Sequence, residues 1–281
     1  MRVLVTGSSG KAGRFAVTEL AQAGHEVFHI DRVRPAVTLP GEFRLVDLTD
    51  AGEVYDACSE IRAEGVCHIA ANPSPEGFPR QQIFQNNVMS TYNVMQAACD
   101  SGSRRIIYAS SEMATGWLTT DVHPARFPFN ESDRVPSPNA YALSKYMGEM
   151  IADTMSARHP DVGFVSLRIN NVIMPDGYDV LERRRTNYPT EGSGNYWSYI
   201  DVRDVATAFR AALEGESSGH EVFLIAAADT CIDVPIRKAM KARYNIEPEF
   251  APGHGDFDSV FDCSKIRRAF GWSPKQSWRN Q

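Results

Sequence analysis

Short β-branched runs alternate with longer stretches of helical apolar spacing along most of the chain up to Ile169. This alternation constrains the fold more than any single residue does. Strands are expected at 3–6, 26–30, 43–46, 66–71, 106–109 and 164–169, and helices over 14–23, 81–99 and 140–157. A strand–helix–strand order needs crossover connections. It therefore predicts a parallel sheet covered by helices on both faces. After Pro175 the rhythm loosens. Residues 176–198 carry Gly, Pro, Asn and the successive arginines Arg183, Arg184 and Arg185, and they read as loop. A helix over 202–213, a strand over 221–226, a helix near 235–244 and a last short helix over 262–270 follow.

Composition narrows the partners. The chain has 281 residues, long enough for a full core, and a net charge of -6. A phosphate-backbone surface needs a basic excess, so no nucleic-acid partner is expected. No apolar run approaches the ~18 residues of a membrane span, so no membrane partner is expected either. The N-terminus enters a strand-like run at once, and the default expectation is a cytoplasmic protein. Cys58, Cys67, Cys99, Cys231 and Cys263 are odd in number, far apart and without a CxxC. They predict reduced packing residues and no metal site.

The first strand runs into Gly7-Ser8-Ser9-Gly10-Lys11-Ala12-Gly13, where the first helix begins. Glycines suit a tight turn, a close approach to pyrophosphate and close helix–strand packing. The helix N-terminus offers free N–H groups and partial positive charge to phosphates. Asp31 ends the second strand 18 residues beyond Gly13. A carboxylate there accepts ribose hydroxyls and repels a 2′-phosphate, which favours NAD over NADP. Arg32, Arg34 and Lys11 pull the other way, since they suit a phosphate.

Tyr141-Ala142-Leu143-Ser144-Lys145 opens a long helix and places Tyr and Lys on one face. A phenol titrates near pH 10, too high for a base at neutral pH. A nearby ammonium and the charge of an oxidised nicotinamide are expected to lower that value. Tyr141 then exchanges a proton with a substrate hydroxyl while hydride passes to or from the cofactor, and Lys145 holds the nicotinamide ribose. The strand at 106–109 ends in Ser110-Ser111-Glu112, at the sheet edge where ligands bind in open α/β folds. One serine is expected to meet substrate and the other to serve structure.

This ordered set resembles the extended short-chain dehydrogenase/reductases, of the NAD-dependent epimerase/dehydratase group, over residues 1 to about 215. TGSSGKAG is similar to the family's TGxxGxxG, and Asp47-Leu48 to the pair that holds adenine. His68-Ile69-Ala70-Ala71 matches the HxAA strand beside the cofactor, and Asn87 the Asn that supports the active site. Alignment on Gly116 selects Ser111 as the catalytic serine, and YALSK matches YxxxK. Arg168 to Val172 resembles RxxNV, whose Asn171 faces substrate or cofactor. The segment from Tyr199 to Ala206 resembles a family stretch in which His commonly stands at the place of Asp201.

The resemblance implies an α/β, Rossmann-type doubly wound parallel sheet with a small C-terminal cap. Residues 1–175 would form the NAD-binding domain with the catalytic residues. Residues 176–281 would form the substrate cap, with about 199–227 returning to the core. It implies Ser111, Tyr141 and Lys145 as catalytic residues. Gly7, Gly10, Lys11, Ala12, Gly13, Asp31, Arg32, Asp47, Leu48, Ala70, Ala71 and Asn87 would join Tyr141 and Lys145 around the cofactor. Ser74, Ser111, Glu112, Asn171 and Arg185 would meet the substrate, and Trp197 is a further candidate to cover it. It also implies a homodimer through the helices near 86–100 and 140–157.

Departures from the family pattern tilt the expected function. VYG is replaced by Ala114-Thr115-Gly116, and YGP by Ile173-Met174-Pro175. No copy of the Arg-bearing elements that grip a nucleotide diphosphate is evident. The short C-terminal part and the Ala71-Asn72-Pro73-Ser74 loop resemble uronate and other small-sugar dehydrogenases. The expected activity is NAD-dependent oxidation of a hydroxyl on a sugar, sugar acid or polyol. The alternative is a nucleotide-sugar 4-epimerase with tightly bound, regenerated NAD. A catalytically dead NAD(H) sensor is a third reading, opposed by the intact Ser111, Tyr141 and Lys145. Glu112-Met113 stands where a dehydratase needs Asp-Glu, which opposes dehydration.

Overall fold

A computed structural model describes residues 1–117, 122–137, 139–191 and 193–280. The first half is built from β1 (Arg2–Thr6), α1 (Lys11–Gln22), β2 (Glu26–Asp31), β3 (Glu42–Leu45), α2 (Ala51–Ile61), β4 (Gly65–His68), α3 (Arg80–Asp100) and β5 (Arg105–Ser111). Then come β6 (Arg126–Phe127), α4 (Ala140–Arg158), β7 (Gly163–Ile169), β8 (Val172–Ile173), α5 (Asp179–Thr186) and β9 (Ile200–Asp201). The chain ends with α6 (Val202–Glu214), β10 (His220–Ile225), α7 (Ile236–Tyr244), β11 (Glu249–Phe250) and α8 (Ser264–Phe270).

Seven strands pair in the order β10-β7-β5-β4-β1-β2-β3, all parallel. This is the doubly wound α/β fold read from the sequence. From β1 the chain winds outward to β3, then crosses back to β4 on the other side. Ligands bind at such a reversal, outside the carboxyl ends of the strands. The strand period of two sends Val3 and Val5 to one face and Leu4 to the other. Val3 and Val5 pack with Leu20, Phe209 and Leu213 of α1 and α6. Leu4 packs with Val54, Met95 and Met155 of α2, α3 and α4. A third cluster, with Phe127, Phe129, Trp197, Tyr199 and Met240, forms the interior of the C-terminal part.

Two helices were not expected. Asp50 caps α2 by accepting from the N–H groups of Gly52 and Glu53, and Val54, Ala57, Cys58 and Ile61 form its buried stripe. That pattern was present in the sequence. Helix α5 lies in the segment expected to be loop and buries only Leu181, so it has no apolar periodicity to detect. The strand expected over 66–71 stops at His68, which frees Ile69 to Ala71 to leave the sheet at the switch point.

Helix α4 is tied to the sheet by a buried ion pair. Glu149 accepts from Arg168 Nε and Nη2, each at 2.9 Å, and from Ser110 Oγ at 2.6 Å. Both charged side chains are at most 4% exposed. Arg168 Nη1 also donates to the Glu131 carbonyl at 2.8 Å. Removing one partner strands a buried charge. Arg168→Ala should therefore destabilise the fold by about 3–5 kcal/mol, and Ser110→Ala by about 1 kcal/mol, measured by denaturant unfolding.

Candidate active site

A cavity of about 790 Å³ opens at the switch point, and its lining runs from Gly7 to Val172. Gly7, Gly10, Lys11, Ala12 and Gly13 form its floor. Gly7 sits at φ +72°, and a Cβ there would lie 2.6 Å from the Ala70 backbone. A Cβ on Gly13 would run into the Gly7 carbonyl. Any side chain at either place would fill the cradle or part the loop from the strand beside it. Asp31 and Arg32 line one end. The Asp31 carboxylate accepts from the N–H groups of Ser9 at 2.9 Å and Val33 at 3.3 Å. Asp47 and Leu48 line the wall beside them, where Asn93 Nδ2 donates to the Leu48 carbonyl at 3.0 Å.

Beneath Ala70 and Ala71, His68 is fully buried between Thr6 Oγ1 at 2.8 Å and Thr91 Oγ1 at 3.1 Å. Burial pushes its imidazole down to about 3, aided by the Lys145 charge. It is a neutral strut. Asn87 lies off the cavity. Its Oδ1 accepts from Asn72 N–H at 2.7 Å and its Nδ2 donates to the Asn72 carbonyl at 3.1 Å and Ser144 Oγ at 3.0 Å. It pins the loop around Asn72 to α4, and Asn86 and Ser90 line the cavity from α3.

At the other end β5 delivers Ser110 and Ser111 in opposite directions. Ser110 is taken by Glu149, whereas Ser111 Oγ accepts from the Met113 N–H at 3.2 Å and lies beside Tyr141 in the cavity wall. Asn139 caps α4 by accepting from the Ala142 N–H at 2.8 Å, which fixes the turn carrying Tyr141. Lys145 donates to the Ala109 carbonyl at 2.7 Å, and its Nζ lies 5.9 Å from the Tyr141 ring centroid. The electrostatics differ from the expectation. Burial pushes the Tyr141 phenol up to about 12, and the lowering influence on it is Ser111 rather than Lys145. Burial brings the Lys145 ammonium down to about 7.

Glu112, Asn171 and Ser74 also line this end. Arg185 does not. It turns away to Asp233 at 3.3 Å and stacks its guanidinium 4.8 Å from the Trp278 ring centroid. Arg184 is the arginine that reaches inward. With its amide assigned from its partners, Asn171 accepts from Arg184 Nη1 at 2.8 Å and Nη2 at 2.9 Å. Sequence reasoning missed this choice among three neighbours. Trp197 lies in the core of the cap, donating to the carbonyls of Tyr188 and Glu191. Asp201 caps α6 and pairs with Arg203 at 2.8 Å, a structural use of that position.

The family model for the NAD dependent epimerase/dehydratase family matches residues 3–226. The chain belongs to this family. A UDP-glucose 4-epimerase of Lactobacillus helveticus is 25% identical over 312 residues, spanning 98% of this chain and 92% of that protein. An NAD-dependent glucose-6-phosphate dehydrogenase of Haloferax volcanii is 28% identical over 240 residues, spanning 81% and 86%. Among solved structures, the NAD complex of Thermus thermophilus UDP-glucose 4-epimerase superposes with a TM-score of 0.72 at 25% identity, covering 99% of this chain and 96% of the other. The epimerase of Thermotoga maritima gives 0.75 at 23%, covering 99% and 94%. For the family's NAD the residues fit: a side-chain-free cradle, a helix N-terminus and a carboxylate line one cavity of about 790 Å³.

Two predictions follow from these placements. Asp31→Ser removes the charge that repels a 2′-phosphate and leaves Arg32, so the NADP to NAD affinity ratio should rise by about 10–100-fold, measured by cofactor titration. Burial pushes the Glu112 carboxyl up from 4.5 to about 8. A raised acid contributes stability that is full below its unfolded value and is lost as pH climbs toward its folded value. Glu112→Gln should therefore gain thermal stability over the parent chain between pH 4.5 and 8, and little below that window.

Proposed function

We propose that this chain is an NAD-dependent dehydrogenase acting on a hydroxyl of a sugar, sugar acid or similar polyol. The observation that carries this reading is the extent of the cavity. Among the described residues, its lining lies between Gly7 and Val172, and none of it comes from the C-terminal part. Arg184 reaches Asn171, and its charge acts on Glu112 from outside that lining. Trp197 and Tyr199 of the C-terminal part pack with Phe127 and Phe129, all fully buried. A compact substrate suits that end better than one trailing a nucleotide.

Ser111 and Tyr141 converge on one substrate oxygen. Tyr141 takes the hydroxyl proton at its phenol oxygen as the carbonyl forms, and Ser111 holds that oxygen in line. Bound NAD supplies the hydride acceptor and a positive charge that favours phenolate. Lys145, pinned by Ala109, fixes the geometry on the sheet side. Oxidation should quicken as pH rises above neutrality, because a phenol held above its ordinary value is protonated there.

A second reading is a UDP-sugar 4-epimerase that retains its NAD. The names of the relatives support it more than they support the first reading. The two share Tyr141 and differ in what leaves the site. Stoichiometric NADH accumulation with glucose 6-phosphate, uronic acids or free sugars supports the dehydrogenase. Interconversion of UDP-glucose and UDP-galactose without net NADH supports the epimerase. Tyr141→Phe should lower either activity by about 10²–10⁴-fold while leaving NAD binding intact; persistence of turnover would sink the proton-transfer role. We also propose a homodimer through α3 and α4. Met89, Tyr92, Leu143 and Met150 are exposed there, whereas Met95 and Met155 are spent on the internal core.

A further inference from the structure

Glu112 is an unusual residue for this cavity wall. It follows Ser111 directly and opens the short 3-10 turn Glu112–Thr115, so backbone geometry fixes it one residue from the reacting centre. Its side chain is 7% exposed yet lines the cavity with Ser111, Met113 and Tyr141. Asn195, the Asn171 backbone and the Arg184 charge lie beside the carboxyl and favour its charged form, while burial opposes it more strongly. Its Oε2 has no hydrogen-bond partner among the described residues. Such an orphaned buried oxygen is destabilising unless something binds it. Two further cavity-lining groups share that condition: Asn72 Nδ2 and Asn170 Nδ2 are buried and without partners among the described residues.

One acceptor and two donors thus belong to residues that line the same cavity as Ser111 and Tyr141. A simple alcohol would leave all three unmatched. A polyhydroxylated carbon chain or ring matches them, since each hydroxyl both donates and accepts. We propose that Glu112 is a specificity-determining residue whose Oε2 binds the hydroxyl on the carbon next to the one oxidised, so that the substrate must carry a vicinal diol. This rests on the proposed sugar-oxidising function and names its substrate class more narrowly. The raised carboxyl lets Glu112 donate as well as accept near neutral pH. Discrimination is expected to be strong, because a site built around a buried polar group rejects the analogue lacking its partner.

The test uses full-length enzyme loaded with NAD. Probes are glucose 6-phosphate and galactose with their 2-deoxy forms, and UDP-galactose with its 3-deoxy form. Binding is read by saturation-transfer NMR on Tyr141→Phe protein, and turnover on the parent protein. The parent sugar should be preferred over its deoxy form by about 10–100-fold. Glu112→Ala should abolish that preference by weakening only the parent sugar, mainly in KM, while Glu112→Gln should retain part of it. Equal weakening of both probes, or an unchanged preference, overturns the role given to Glu112. Failure of every probe to bind NAD-loaded protein overturns the sugar-oxidising function itself and this inference with it. NAD affinity measured alongside separates either result from misfolding.

Discussion

The bidentate pair between Arg168 and Glu149 holds together everything that the site requires. Ser111 ends β5, Tyr141 and Lys145 open α4, and Asn170 and Asn171 leave β7. Those three elements meet at this one pair, which also takes the Ser110 hydroxyl and reaches the Glu131 carbonyl. Glu131 in turn accepts from the Leu224 N–H of β10. Burying two charges is worthwhile only when the geometry is close and the remaining polar atoms are satisfied. Among the described residues, the hydrogen bonds of the Glu149 side chain come from Arg168 on β7 and Ser110 on β5, the strands that lead into Asn170 and Ser111. The pair does for orientation what apolar packing cannot, since a greasy contact tolerates sliding and a two-pronged guanidinium contact does not.

The split between Ser110 and Ser111 shows why the strand end reads as it does. Successive residues of a strand point to opposite faces. One hydroxyl therefore turns to the ion pair beneath α4 and the other to Tyr141. Neighbouring polar residues at a strand end are thus not redundant. Lys145 follows the same logic on the helix. With its ammonium fixed against the Ala109 carbonyl, it loses most of its rotamer freedom before any ligand arrives.

Much of the sheet and of the cofactor cradle was legible because both depend on local rules. β-branched runs give strands, and glycines at Gly7 and Gly13 mark places where a Cβ has no room. The residues expected around the cofactor do gather in one cavity, Asn87 excepted. What escaped depends on long-range geometry. Helix α5 has almost no buried stripe, and tertiary contacts of its arginines hold it in place. Arg184 and Arg185 are neighbours of equal chemistry, and a helix turns adjacent side chains by about 100°. One therefore faces Asn171 and the other Trp278, and the sequence carries no mark of which. The Tyr141 phenol was expected to be lowered by Lys145. Burial dominates because nearly all of the ring is out of water, an amount of desolvation that no spacing rule conveys.

The arginine pair also shows how the C-terminal part can influence the site although none of its described residues lines the cavity. Arg185 is held between Asp233 and Trp278, and Trp278 in turn donates to the Thr230 carbonyl. The C-terminal tail thereby anchors α5. Anchored α5 presents Arg184 to Asn171, and Arg184, Asn171 and Asn195 all lie close enough to influence the Glu112 carboxyl. The cap thus acts on the substrate end through the orientation of residues belonging to the sheet. An enzyme that grips a long substrate needs side chains of the cap in contact with it. One that grips a short polyol needs only a rigid wall of matched donors and acceptors. Under the proposed sugar-oxidising function, the chain from Trp278 to Glu112 would supply a wall of that second kind.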